Sequence, residues 1–208
     1  MIAIIDYGVG NLRSVEKAFH FIGAEAVVTS DREYIMAADA VVLPGVGAFA
    51  DAMESLEKYG MVDVVRNVIN SNKPFLGICL GMQLLFDYSE EGGERVPGLG
   101  VLRGAIRQLP QNMGLKVPHM GWNSIKINGG SPLFKELPEK SYVYFVHSYY
   151  LKAEDRSIVA ATTDYGIQFD VAVAEGNVFA TQFHPEKSGD LGLQILKNWI
   201  TRLGDTAF

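Results

Sequence analysis

In the first half of the chain, apolar residues come in short unbroken runs, each followed by a stretch where they recur every three to four positions. Unbroken runs of four or five predict strands covered on both faces, and the 3.6-residue recurrence predicts amphipathic helices. The order is therefore β/α alternation. Ile2–Ile5 predicts a strand followed by a helix from about Asn11 to Ile22, and Ala26–Val28 a second strand with a short helix over Arg32–Ala38. A third strand, Ala40–Leu43, ends in Pro44-Gly45 and leads to helices over Ala50–Leu56 and Val62–Ile69. A fourth, Phe75–Ile78, runs straight into a helix over Leu80–Phe86. Continuous apolar strands between helices imply a parallel sheet with helices on both faces, an α/β fold.

After about Gly98 the pattern changes to shorter alternating runs with Gly, Asn and Pro turns between them. These predict strands over Val101–Leu109, Ser124–Ile127, Tyr142–Val146, Ile158–Ala161, Val171–Ala174 and Phe179–Gln182. Leu193, Leu196, Ile200 and Leu203 then recur at helical spacing and stop at Gly204, a residue suited to ending a helix. Asp205–Phe208 reads as a frayed tail. No Pro- or Ser-rich linker, repeat or low-complexity segment divides the chain, so residues 1–208 are expected to form one domain whose β-rich second half extends the first sheet.

Composition narrows the function classes. Of 208 residues, 48% are hydrophobic and 20% charged, enough apolar material for a compact core and far from the profile of a disordered scaffold. A chain this long buries about 70% of its unfolded surface. The formal charge is 18 − 24 = −6 without a basic run, so no nucleic-acid partner is expected. The apolar N-terminal run meets Asp6 after five residues, too soon for a secretory or membrane-spanning segment, so a cytoplasmic protein with no membrane partner is expected. One cysteine allows neither an internal disulfide nor a thiolate metal cluster; no metal or cofactor is expected. Cys79 is then a small buried residue or a reactive thiol.

The segment Lys73-Pro-Phe-Leu-Gly-Ile-Cys-Leu-Gly-Met-Gln83 favours the thiol. An apolar strand enters Gly77-Ile-Cys-Leu-Gly81 and leaves directly as a helix, the nucleophile-elbow pattern with Cys in place of Ser. Glycines allow the sharp turn, and the helix N-terminus behind it favours a thiolate and offers N–H groups to an oxyanion. A buried Cys in a Gly-rich turn remains the bland alternative.

A nucleophilic Cys needs a base and a group to orient it. The four histidines are His20, His119, His147 and His184. His20 falls inside a predicted amphipathic helix and reads as packing or surface. His184 follows a strand in Gln182-Phe-His-Pro-Glu186, where Pro185 stiffens the turn and Glu186 can return to hold the imidazole tautomer. His147 and His119 stay open as alternative bases. Two Gly turns compete for the oxyanion: Pro44-Gly-Val-Gly47, beside the elbow, and Gly8-Val-Gly10. The latter begins like a dinucleotide fingerprint but carries Arg13 where the third glycine belongs.

Together, Gly77-Ile-Cys-Leu-Gly-Met-Gln83 and Phe183-His-Pro-Glu186 resemble the class I (triad) glutamine amidotransferases. Within that family, Ile4-Ile-Asp-Tyr-Gly-Val-Gly-Asn-Leu12, Leu43-Pro-Gly-Val-Gly47, Pro118-His-Met-Gly-Trp-Asn123 and Phe145-Val-His-Ser-Tyr149 look like the glutaminase subunits of the histidine-biosynthesis branch. The resemblance implies a three-layer α/β fold with a parallel-rich central sheet. It implies that Cys79 attacks the carboxamide of glutamine, His184 moves the proton and Glu186 orients His184. Val46, Gly47 and Leu80 would serve the oxyanion, and Gln83, Glu91, Ser148 and Tyr149 the amino-acid end of glutamine. It further implies a heterodimer with a cyclase of (β/α)₈-barrel form that takes the ammonia, facing Asn11, Trp122, Tyr144 and Lys187. Read without the family, Trp122 and Tyr144 are equally well core residues of strands, and Glu91 ordinary surface. The competing functions are a stand-alone Cys hydrolase or amidase on a similar fold, the glutaminase subunit of another amidotransferase, and a non-catalytic binding subunit with a buried thiol.

Overall fold

The computed structural model describes residues 1–93, 95–112 and 114–205, the last four as backbone. The first half alternates as expected: β1 (Ile2–Ile5), α1 (Leu12–Phe21), β2 (Ala26–Thr29), α2 (Arg32–Ala37), β3 (Ala40–Gly45), α3 (Phe49–Lys58), α4 (Met61–Asn70), β4 (Phe75–Cys79) and α5 (Leu80–Gln83). Local chemistry sets some of the boundaries. Asp31 starts α2 by accepting from the N–H groups of Glu33 and Tyr34, two donors with no partner inside the helix. The second half supplies β5 (Tyr88–Ser89), β6 (Val96–Pro97), β7 (Gly104–Gln108), β8 (His119–Ile127), β9 (Ser141–His147), β10 (Tyr149–Ala153), β11 (Val159–Asp164), β12 (Gln168–Glu175) and β13 (Val178–Thr181). The long C-terminal helix α6 (Gly189–Asp205) follows.

The strands join in one sheet. Its first part runs β2-β1-β3-β4-β13, all parallel. Antiparallel β12 extends it, and beyond β12 the sheet forks into β10-β7-β5-β6 and β11-β8-β9. The two faces carry separate cores. Ala3, Ile5, Val41, Leu43 and Phe75 point to the face covered by α2, α3 and α4; Ile2, Ile4, Val42, Leu76 and Ile78 point to the face of α1 and α6. This is the two-residue side-chain alternation of strands buried on both sides. On the second face, fully buried Trp199 of α6 meets Phe19 of α1 with ring centroids 5.7 Å apart. Truncating Trp199 to Ala would cost about 3–5 kcal/mol.

The structure corrects several expected boundaries. Helix α5 is a single turn ending at Gln83, because the carbonyls of Leu84, Leu85 and Phe86 accept from the N–H groups of Leu99, Gly100, Val101 and Leu102 rather than from a continuing helix. The same bonds occupy residues 99–102, so β7 starts at Gly104, not Val101. Strand β8 begins five residues before Ser124 because His119–Asn123 pairs with Val143–His147 of β9. Strands β5, β6 and β10 carry no clear hydrophobic pattern of their own in the sequence. Gly204 does not end α6; glycine permits a helix to stop without requiring it. Of the expected tail, Asp205 closes α6, and 206–208 lie outside the described residues.

Candidate active site

Strand β4 delivers Cys79 to the carboxyl edge of the parallel sheet, the edge where open α/β sheets place their ligands. Its backbone takes φ 56° and ψ −110°, a conformation that non-glycine residues rarely adopt. Three glycines make room for that turn. A Cβ at Gly77 would sit 2.9 Å from the Gly81 carbonyl oxygen, one at Gly45 2.9 Å from the Gly81 nitrogen, and one at Gly81 would overlap the Leu43 carbonyl. Each glycine is therefore fixed by backbone contact rather than by flexibility. Register places Gly45 of β3 directly beside Cys79, so the chain continuing to Val46 and Gly47 (φ 95°) passes the thiol.

His184 follows β13 in a turn at Pro185–Lys187 that returns Glu186 to the ring: Nδ1 of His184 lies 2.8 Å from Oε1 of Glu186, with the two side chains 2% and 1% exposed. A carboxylate can only accept, so Nδ1 carries the proton and Nε2 is turned to other use. Nε2 is buried, makes no close hydrogen bond among the described residues and faces the Cys79 thiol. Burial alone would lower the imidazole pKa. Interaction with Cys79 and with Glu186 outweighs it and raises the pKa to about 10, so the site favours the protonated ring. The turn is clamped to β9: the His184 N–H donates to the Tyr144 carbonyl, and the Ser188 hydroxyl donates to the His184 carbonyl while accepting from the Tyr144 N–H.

Cys79 and His184 open onto one cavity of about 320 Å³. Its lining includes every residue expected for the oxyanion (Val46, Gly47, Leu80) and for the amino-acid end of the substrate (Gln83, Glu91, Ser148, Tyr149). Glu91 is fixed by accepting from the Phe49 N–H at the start of α3, 2.7 Å away. Burial, followed by the Glu91 carboxylate, raises the Tyr149 pKa, partly offset by a backbone bond to Gly92. Gln83 is buried and donates to the Tyr149 carbonyl (3.1 Å) and to Gln182 (2.9 Å). Among the described residues no group of three His, Cys, Asp or Glu side chains is placed to hold a metal ion.

Comparison with known proteins agrees with this geometry. The family model for class-I glutamine amidotransferases matches residues 3–203. A relative from Bacillus cereus (strain G9842), named imidazole glycerol phosphate synthase subunit HisH, is 56% identical over 199 residues, covering 96% of this chain and 93% of its own. One of the same name from Thermosynechococcus vestitus is 50% identical over 206 residues, covering 98% of each. The chain belongs to the class I glutamine amidotransferases. A solved glutamine amidotransferase shares the fold at a TM-score of 0.76 and 21% identity, over 98% of this chain and all of that one.

Sequence reasoning overlooked parts of this amidotransferase site. Gln182 donates toward the Cys79 sulfur at 3.7 Å and also holds Gln83. It stands two residues before His184, and that adjacency was the available clue. Tyr7, from the Gly8 turn, donates its hydroxyl to the Pro44 carbonyl and so braces the strand beside the thiol. Burial, and then Cys79, raises its pKa above the usual phenol range. His147 reaches the cavity, but both its ring nitrogens are committed: Nδ1 to the Tyr149 carbonyl at 2.8 Å and Nε2 to His119 at 2.9 Å. Neither His147 nor His119 is free to serve as the base. His20 instead bonds the Ala26 carbonyl.

The residues expected at a partner lie around the His184 turn. Trp122 is 57% exposed on β8 and meets Tyr144 of β9 edge-on, with centroids 6.2 Å apart, so the core reading of Trp122 is excluded; Tyr144 is half-buried. Lys187 is exposed at the end of the turn, and half-buried Asn11 precedes α1, which runs beside that turn.

Proposed function

We propose that this chain is the glutaminase subunit of an imidazole glycerol phosphate synthase, acting in the cytoplasm as a single amidotransferase domain. The observation that supports it most is the convergence of Cys79, His184 and Glu186 on a cavity also lined by Val46, Gly47, Gln83, Glu91, Ser148 and Tyr149. The Cys79 thiolate attacks the side-chain carbonyl of glutamine while the Leu80 N–H and one from Val46 or Gly47 hold the oxyanion. Imidazolium His184 passes its proton to the leaving nitrogen, ammonia departs, and a thioester remains. Neutral His184 then takes a proton from water, whose hydroxide opens the thioester; the Cys79 thiolate and imidazolium His184 are restored, and glutamate leaves as the carboxylate with its acid proton passing to ammonia or solvent. Glu186 holds the tautomer that keeps Nε2 toward the sulfur.

The ammonia passes to a cyclase of (β/α)₈-barrel form that docks as a heterodimer over Asn11, Trp122, Tyr144 and Lys187. Such a pair needs hydrolysis restrained until the acceptor is present. Glutamate release is measured for the chain alone, with the cyclase, and with the cyclase and its phosphosugar ligand. The last is expected to exceed the first by at least tenfold, a coupling of about 1.4 kcal/mol or more. Full activity of the chain alone, with no complex formed, would favour a stand-alone hydrolase.

A further inference from the structure

His119 and His147 face each other directly across the β8–β9 ladder, and together with Asn123 and Tyr149 they form a hydrogen-bonded row whose direction is fixed from both ends. At one end the Tyr149 carbonyl can only accept, so His147 Nδ1 carries a proton. At the other, Asn123 Oδ1 accepts from the Ser124 N–H (2.8 Å) and Nδ2 donates to the Asp164 carbonyl (2.9 Å), which fixes the amide orientation and presents Nδ2 to His119 Nε2 at 3.3 Å. Burial lowers both imidazole pKa values, to about 4 for His119 and about 3 for His147, so each ring has one donor and one acceptor. The only consistent row then runs from Asn123 Nδ2–H to His119 Nε2, from His119 Nδ1–H to His147 Nε2, and from His147 Nδ1–H to the Tyr149 carbonyl.

The row ends at a structural switch. Ser148 separates β9 from β10, the point where the chain leaves one branch of the forked sheet for the other, and Ser148 and Tyr149 line the cavity. The Tyr149 carbonyl receives a second buried donor, Gln83 Nε2. Two donors from different elements thus hold the backbone at the bend that the substrate meets.

We propose that His119 is a positioning residue for glutamine: by donating to His147 Nε2 it locks His147 as the Nδ1–H tautomer and so fixes the Ser148–Tyr149 backbone in the binding cavity. Without that donor, His147 is free to place its proton on Nε2, which sets an Nδ1 lone pair against the Tyr149 carbonyl oxygen. His119 does not touch the substrate, so its loss weakens binding more than turnover.

The proposal rests on the glutaminase reading and is tested in the complex with the cyclase by steady-state glutamate release. His119→Phe keeps the stacking on Tyr165 (centroids 4.0 Å) and Phe145 (4.7 Å) while removing the donor. We expect its KM for glutamine to rise at least fivefold with kcat within twofold of wild type, and His119→Asn, whose amide stands where Nδ1 stood, to return KM to within twofold. A KM within twofold for His119→Phe, or a fall in kcat at unchanged KM, overturns the proposal. A wild-type complex that releases no glutamate overturns the functional reading and this proposal with it, whereas an active wild type with unaltered variants overturns this proposal alone. Long-range ¹⁵N–¹H spectra of the wild-type protein at pH 7 need no variant: both rings should carry their proton on Nδ1, and an Nε2–H form of either excludes the row.

Discussion

Two histidines line one cavity with pKa values pushed in opposite directions. His184 opens the short turn at Pro185–Lys187, with its carboxylate partner two positions away and Cys79 facing its other nitrogen; its pKa is raised to about 10. His147 lies in a ladder between a carbonyl that accepts and a second histidine that donates, with no carboxylate in its row; it is held neutral. Both are buried. Burial by itself opposes charge in both, so the difference is set by the partners: anionic neighbours favour the cation, and neutral dipoles do not offset the lost hydration. The charged ring is equipped to move a proton and the neutral one to hold a backbone.

Loss of the charged region should have the largest effect. Cys79→Ala and His184→Asn should each leave below about 1% of wild-type glutamate release, while the complex still uses free ammonia, because triad members act as a unit worth several orders of magnitude. His184→Asn near wild type beside a severe His147→Asn would reverse the assignment of the two rings. Glu186→Gln should lie between His184→Asn and wild type, since the base remains while its orientation and stabilising charge are lost. Its effect should not add to that of His184→Asn in the double variant. His147→Asn, whose amide nitrogen stands where Nδ1 donates to Tyr149, should hold kcat within about threefold and raise KM only several-fold.

The smallest effect is on stability, and it divides by pH. His184 has a raised pKa in the fold, so its contribution is complete below about 6.5 and is lost as pH climbs through about 10. His119 and His147 have lowered values, so theirs is present above about 6.5 and is lost as pH falls toward about 4 and about 3. A melting profile should decline at both ends, each kcal/mol lost lowering the midpoint by about 2–4 °C for a chain of this length. Cys79→Ala should flatten the alkaline decline, because the thiol is the strongest of the influences raising His184, and leave the acid decline unchanged. An unaltered alkaline limb in that variant would separate His184 from the thiol.

The proposed nucleophile was legible because every local requirement for Cys79 lies within seven residues: a strand, a strained turn and glycines at 77 and 81 whose Cβ atoms the neighbouring backbone would exclude. The His184–Glu186 pair was legible for the same reason, with Pro185 stiffening a short turn. The parallel half followed from unbroken apolar runs, since a strand covered on both faces has no polar alternation to confuse. Other features depend on segments distant in the chain. Helix α5 stops at Gln83 because residues 99–102 take the next carbonyls. Ser148 marks the change of sheet branch without a glycine or proline, because the fork is imposed by β12 and its neighbours rather than by the local backbone. The roles of His119 and His147 were open in the sequence because a neutral histidine is distinguished from a base only by what its second nitrogen meets, and those partners arrive from β8, β9 and the Tyr149 carbonyl. Sequence alone thus determined chemistry encoded in contiguous residues and their conformational limits. Tertiary structure alone decided protonation, tautomer and boundaries, because each depends on a hydrogen-bond partner or a desolvated neighbour brought from elsewhere in the chain.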